Sequence, residues 1–114
     1  MQEGILKQMA DDKKIQEMQF LEQNFQNLIL QKQAFQMELS ETNSALKEIE
    51  KAGDEVFKII GQLMIKTDKS STKKELEDKK KMLDLRIKAI EKQESSLTEQ
   101  LEKLREEVVK SVNK

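Results

Sequence analysis

The stretch Val56-Phe57-Lys58-Ile59-Ile60-Gly61-Gln62-Leu63-Met64-Ile65-Lys66-Thr67 decides the fold of this chain. The runs on either side of Gly61 are short and carry β-branched or aromatic side chains, which suit strands. Side chains alternate between the two faces of a strand. Val56 and Ile60 therefore share one face, while Phe57 and Ile59 point to the other. Beyond the turn, Leu63 and Ile65 oppose Met64. Gly61 is expected at the turn or a bulge, where a positive φ is needed. Apolar groups on both faces mean that both faces require burial, and a lone two-stranded hairpin is marginal in water. Nothing else in the chain is suited to cover it. The cover is therefore expected from other chains, which makes Val56, Phe57, Ile59, Ile60, Gly61, Leu63, Met64 and Ile65 the candidate oligomerisation residues.

The segments on either side have a different periodicity. Met18, Leu21, Phe25, Leu28, Lys32, Phe35, Leu39, Thr42, Leu46 and Ile49 alternate steps of three and four without a break, the mark of a coiled-coil seam. Leu76, Lys80, Leu83, Ile87, Ile90, Glu94, Leu97, Leu101, Leu104 and Val108 follow the same rhythm. The fold class is thus mainly α, a long antiparallel two-helix coiled coil with a short β-hairpin between the helices, each helix roughly 50 Å long. The expected elements are a first helix over about 5–52, the hairpin over 56–67 and a second helix over about 72–112, in one unit spanning 1–114.

Folding the chain back at the hairpin and matching apolar to apolar sets Ile49 against Leu76, Leu39 against Ile87, Phe35 against Ile90, Leu21 against Leu104 and Met18 against Val108. Lys32 then faces Glu94, and a partly buried Lys–Glu contact of this kind fixes register. Gly53 stands where a helix C-cap is usual. Thr72 with Glu75 has the form of a capping box opening the second helix, after a polar loop of Asp68-Lys69-Ser70-Ser71. Asp11 and Asp12 suit an N-cap that leaves residues 1–10 frayed; the alternative start lies near Glu3.

Composition narrows the function. Apolar residues make up 36% of the chain against 38% charged, with no proline, a balance that fits long solvated helices better than a packed sphere. The net charge of −1 supplies no overall basic field for nucleic acid or an acidic membrane. Lys73-Lys74 and Lys79-Lys80-Lys81 form a basic cluster, but it lacks interleaved aromatic residues and is offset by Glu75, Glu77 and Asp78, so it reads as a solvated helix face. Histidine and cysteine are absent, which removes the commonest general base, the commonest metal ligands and all disulfide chemistry. There is no glycine-rich phosphate loop. An enzyme is not expected, nor is a cofactor. No signal-peptide-like run opens the sequence, and no stretch nears the roughly 20 apolar residues that span a bilayer, so the expected location is the cytoplasm.

The far end of the folded-back coil carries Ile5, Leu6, Met9, Ile15 and Met18 on one strand of the coil, with Val108, Val109 and Val112 on the other. A shallow apolar patch softened by methionine suits unfolded clients that share no sequence. Ile5, Leu6, Met9, Ile15, Met18, Val109 and Val112 are accordingly the candidate client-binding residues. Met18 and Val108 also fit simple closure of the seam. Phe20, Ile29, Leu30 and Met37 lie off the seam and read as isolated exposed apolar residues.

Helix, apolar hairpin and antiparallel helix on so short a chain resemble the β-type subunit of prefoldin in its archaeal form. The resemblance is carried by Gln31-Lys32-Gln33, Glu38-Leu39-Ser40-Glu41-Thr42, Ala45-Leu46 and Glu48-Ile49-Glu50. It continues through Val56-Phe57-Lys58, Gly61 and Leu63-Met64-Ile65-Lys66-Thr67 to Leu85-Arg86 and Ile90-Glu91-Lys92-Gln93-Glu94. It covers most of residues 18–105, and the hairpin string is its most specific part. The chain departs from the β-type pattern at its ends, in Asp11-Asp12-Lys13-Lys14 and at Asn113-Lys114. The resemblance implies an ATP-independent holdase chaperone, a hexamer of two α-type and four β-type subunits. Its partners would be the α-type subunits, other copies of this chain, unfolded client proteins and a group II chaperonin. In such an assembly the hairpins build a central platform, and the coil tips hold clients. The rival from another class is a passive coiled-coil scaffold that binds one folded partner.

Overall fold

The computed structural model of the chain describes residues 2–112, the side chain of Val112 excepted. The order of elements is helix α1 (Gln2–Lys51), strands β1 (Glu55–Ile60) and β2 (Leu63–Asp68), and helix α2 (Lys69–Val112). The strands form a two-stranded antiparallel sheet with Ile60 opposite Leu63, Ile59 opposite Met64 and Glu55 opposite Asp68. Gly61 has a φ of 60° at the first central position of the two-residue turn, where a type II′ turn needs a residue free of Cβ strain. Among the described residues, no helix is long and apolar enough to cross a membrane.

The chain divides into two compact units, residues 32–88 and residues 1–31 with 89–114. The first holds the hairpin and the helical segments next to it. Its core is Ile49, Leu83 and Ile87 with the polar Thr42, all buried. The Thr42 hydroxyl donates to the Glu38 carbonyl at 2.8 Å, so a seam threonine is satisfied by its own helix. The Arg86 guanidinium lies 5.5 Å from the centroid of the Phe35 ring, a cation–π contact that covers a half-buried seam aromatic. In the second unit the seam residues Met18, Leu21, Phe25, Leu28, Leu97, Leu101, Leu104 and Val108 are half-buried, and only Ile90 is buried outright. Every seam position named from the sequence is at least half-buried, except Lys80, which is exposed.

The pairing register differs from the one read by matching apolar residues. In the second unit Ser111 Oγ donates to Asp11 Oδ2 at 2.8 Å, and two such short side chains meet only when their backbones are level. That contact sets Met18 level with Leu104 and Leu21 with Leu101. In the first unit the ladder runs past Glu55 and Asp68 to a Lys69 N–H···O=C Asp54 bond of 3.0 Å, and Lys73 bridges to Glu50. Leu46 is then level with Leu76, and Leu39 with Leu83. The pairs of Ile49 with Leu76, Leu39 with Ile87, Leu21 with Leu104 and Met18 with Val108 are each out by about one helical turn. In the unit that holds the hairpin, the two-residue turn fixes the centre about which the adjoining helical segments pair.

The element ends also differ. Helix α1 begins at Gln2, so residues 2–10 are helical, and Asp11 is a seam residue bound to Ser111 rather than a cap. Gly53 lacks the positive φ of a left-handed cap. The polar loop before α2 does not exist: β2 ends at Asp68 and α2 starts at Lys69. Thr72 and Glu75 lie within α2, where Glu75 accepts a hydrogen bond from Lys58 instead.

Candidate interaction surfaces

The hairpin exposes both faces. One face presents Phe57, Ile59 and Met64 and the other Ile60, Leu63 and Ile65, all exposed, with Ile59 at 71%. Val56 and its cross-strand partner Thr67 are half-buried at the base of the sheet, where Val56 and Phe57 line a shallow cleft with Ile49, Ala52, Thr72 and Leu76. The sheet therefore does not fold down onto the helices beside it. Its charged side chains are paired, Glu55 with Lys66 at 2.9 Å and Lys58, opposite Ile65, with Glu75 of α2 at 2.8 Å. No third strand joins the sheet among the described residues, so backbone donors and acceptors run along both outer edges.

The base of the hairpin is held by residues that the sequence reading passed over. Asp68 is the N-cap of α2: the Ser71 N–H donates to its Oδ1 at 2.7 Å, and the Ser71 hydroxyl to its Oδ2 at 2.9 Å. The Ser71 backbone hydrogen bond, then its hydroxyl, hold the Asp68 carboxyl below its ordinary pKa. A carboxylate whose pKa is lowered on folding stabilises the fold above its unfolded value, and that contribution is lost as pH falls through the lowered folded value. Asp68→Ala is therefore expected to lower the melting temperature by a few degrees at neutral pH, with the gap to wild type closing in strong acid. Parallel thermal scans across pH check this; a gap that persists in strong acid would contradict the cap. The signal was present in the sequence as an Asp with Ser three residues on, but Thr72 and Glu75 fitted the usual box better.

Lys69 serves the other helix. Its Nζ donates to the Ala52 carbonyl at 3.1 Å and the Glu50 carbonyl at 3.3 Å, which gives the last turn of α1 the partner that Gly53 does not supply. Lys73 adds a hydrogen bond and its charge to Glu50, and these chiefly hold the Glu50 carboxyl below its ordinary pKa.

In the other unit, Ile5, Leu6, Met9, Ile15 and Val109 are exposed, whereas Met18 is half-buried in the seam. The side chain of Val112 lies outside the described ones. Between the exposed residues and the apolar seam stand two polar contacts, Asp11 with Ser111 and Lys14 with Glu107 at 3.6 Å. The last seam residues that are covered are Met18 and Val108, and Ile5, Leu6 and Met9 beyond them are each at least 60% exposed. Phe20, Leu30 and Met37 are exposed as expected, Ile29 is half-buried, and Met82 and Leu85 are further exposed apolar residues of α2. Lys32 and Glu94, the expected register pair, fall in different units, and each is half-buried.

Comparison with known proteins agrees with this geometry. A family model described as prefoldin subunit matches residues 12–114. The prefoldin subunit beta of Pyrobaculum calidifontis is 41% identical over 91 residues, covering 78% of this chain and 73% of the relative. That of Thermococcus onnurineus is 42% identical over 89 residues, covering 76% and 77%. The crystal structure of the prefoldin beta subunit from Thermococcus strain KS-1 superposes with a TM-score of 0.80 at 35% identity, covering 87% of this chain and 89% of that one. A two-faced apolar hairpin set between heptad helices, with relatives of this kind along nearly its whole length, makes the chain a member of the prefoldin subunit family.

Proposed function

We propose that this prefoldin chaperone subunit works as an ATP-independent holdase protomer in a hetero-oligomer. It assembles through Val56, Phe57, Ile59, Ile60, Gly61, Leu63, Met64 and Ile65 and holds non-native proteins through Ile5, Leu6, Met9, Ile15, Met18, Val109 and Val112. The observation that carries the reading is the hairpin, apolar and exposed on both faces, a surface that water tolerates poorly and sister hairpins would cover. Its partners are α-type subunits and further copies of the chain, in the hexamer that the resemblance implies, and the client passes to a group II chaperonin. The whole of residues 1–114 acts as one protomer, in the cytoplasm. Several weak apolar ends acting on one client turn shallow contacts into useful avidity.

The test is suppression of aggregation. Without nucleotide, the assembled protein should keep several unrelated unfolded proteins from aggregating, whereas a passive scaffold would protect none. Changing Ile5, Leu6 and Met9 to serine should leave the oligomer intact and reduce protection by about tenfold or more, since each apolar contact is worth on the order of 1–2 kcal/mol and several act together. Light scattering and sedimentation on the same samples separate the two effects. Protection unchanged by these substitutions would remove the client-binding role from this end of the chain.

Lys32 and Glu94 are proposed as the register pair, each a half-buried seam residue. Lys32→Leu alone should lower the melting temperature by stranding Glu94, while changing both to leucine should be neutral or stabilising. Equal effects of the single and double changes would refute the pairing.

A further inference from the structure

A lysine at the first position of a helix works against the helix dipole, and the first turn of α2 contains Lys69 and no acidic residue. The side chain is accounted for by the other helix. Its ammonium reaches the Ala52 and Glu50 carbonyls at the C-terminus of α1, where a positive charge is favourable and where orphan acceptors need donors. The backbone N–H of the same residue donates to the Asp54 carbonyl, the last rung of the ladder before the helices. Lys69 thus binds α1 with its side chain and the segment leading into β1 with its backbone, while itself belonging to α2. The preceding residue, Asp68, caps α2. Lys58 on β1 meets Glu75 on α2 from the side. The hairpin meets the helices through Val56 and Phe57 at its base, while Ile59, Ile60, Leu63 and Met64 beyond them are exposed, so polar contacts of this kind help to fix the direction in which it leaves them.

We infer that Lys69 is a positioning residue for assembly: by capping α1 from the start of α2 it holds the hairpin at a fixed angle to the helices beside it. The inference rests on the reading of the hairpin as the assembly surface. A hairpin that swings freely exposes the same apolar groups but must be ordered when it joins its neighbours, and that entropy weakens association.

The chain has no cysteine, so spin labels can be placed at Gln62→Cys on the turn and Ser44→Cys on α1. With the labelled chain diluted into unlabelled chain, the distance distribution should be narrow. Lys69→Met keeps the apolar stem and removes the donors. It should broaden the distribution and weaken association about tenfold, the scale of a lost charged hydrogen bond. Lys69→Arg, which donates to the same carbonyls, should restore both. A narrow distribution in Lys69→Met would overturn the inference, and so would a broad one with association unchanged. Ile59→Asp serves as the control for the underlying reading: if it leaves association intact, the hairpin is not the assembly surface, and the distance distribution still judges Lys69.

Discussion

Replacing Ile59 and Ile65 with aspartate is expected to take the oligomer apart while leaving the helices folded. The two residues lie on opposite faces of the sheet, at 71% and 44% exposed, so neither belongs to the buried core of the single chain. In an assembly each would bury an apolar side chain worth about 1.5–3 kcal/mol. An aspartate in its place loses that term and adds the larger cost of burying an unpaired carboxylate. Two such changes per hairpin, repeated over several hairpins, should weaken association by well over about a thousandfold. Sedimentation velocity should show the monomer, and far-ultraviolet circular dichroism an unchanged helical signal. Intact assembly in this variant would exclude the hairpin as the joining surface.

Leu83→Ala should have the largest effect on the fold itself. Leu83 is 1% exposed, the most deeply buried large side chain among the described residues, and it stands level with Leu39 in the seam. Truncating a leucine at such a site removes transfer free energy and leaves a cavity, at a cost of about 2–5 kcal/mol. A two-helix layer has few neighbours able to move into the gap. Urea titration should show a lower midpoint with little change in slope. The same substitution at Leu104, which is only half-buried, should cost distinctly less. Equal losses at the two positions would mean that both units are packed alike, contrary to the burial pattern.

The two results separate what the hairpin does from what the seam does. Leucine and isoleucine of the seam stabilise the chain, whereas isoleucine of the hairpin is proposed to stabilise what the chain joins. Exposure in the single chain tells the two apart, since Ile49 is buried and Ile59, ten residues on, is not.

Much of this was legible in the sequence. A seam that alternates threes and fours is a direct image of helical geometry, so nearly every residue it nominated is covered in the structure. The hairpin announced itself by alternation on both faces and by a glycine at the turn, because positive φ is a demand that sequence records faithfully. The apolar residues proposed for clients, the seam residue Met18 excepted, were visible as residues beyond the last seam layer. The register was not legible by matching apolar to apolar. A heptad seam nearly superposes on itself after half a repeat, so sliding one helix by about a turn keeps most of the apolar matches. In the hairpin unit the two-residue turn, continued through Asp54 and Lys69, breaks that degeneracy, and in the other unit the contact of Asp11 with Ser111 does so.

The sequence alone, then, determined the elements, the seam and the unsatisfied hairpin, because each is written as a local period or a local backbone demand. The tertiary structure decided the register, the true caps at Asp68 and Lys69, and the polar contacts that close the coil at Asp11 and Lys14. Those depend on which side chain of one element lies level with which of another, a relation across the fold that no local pattern encodes.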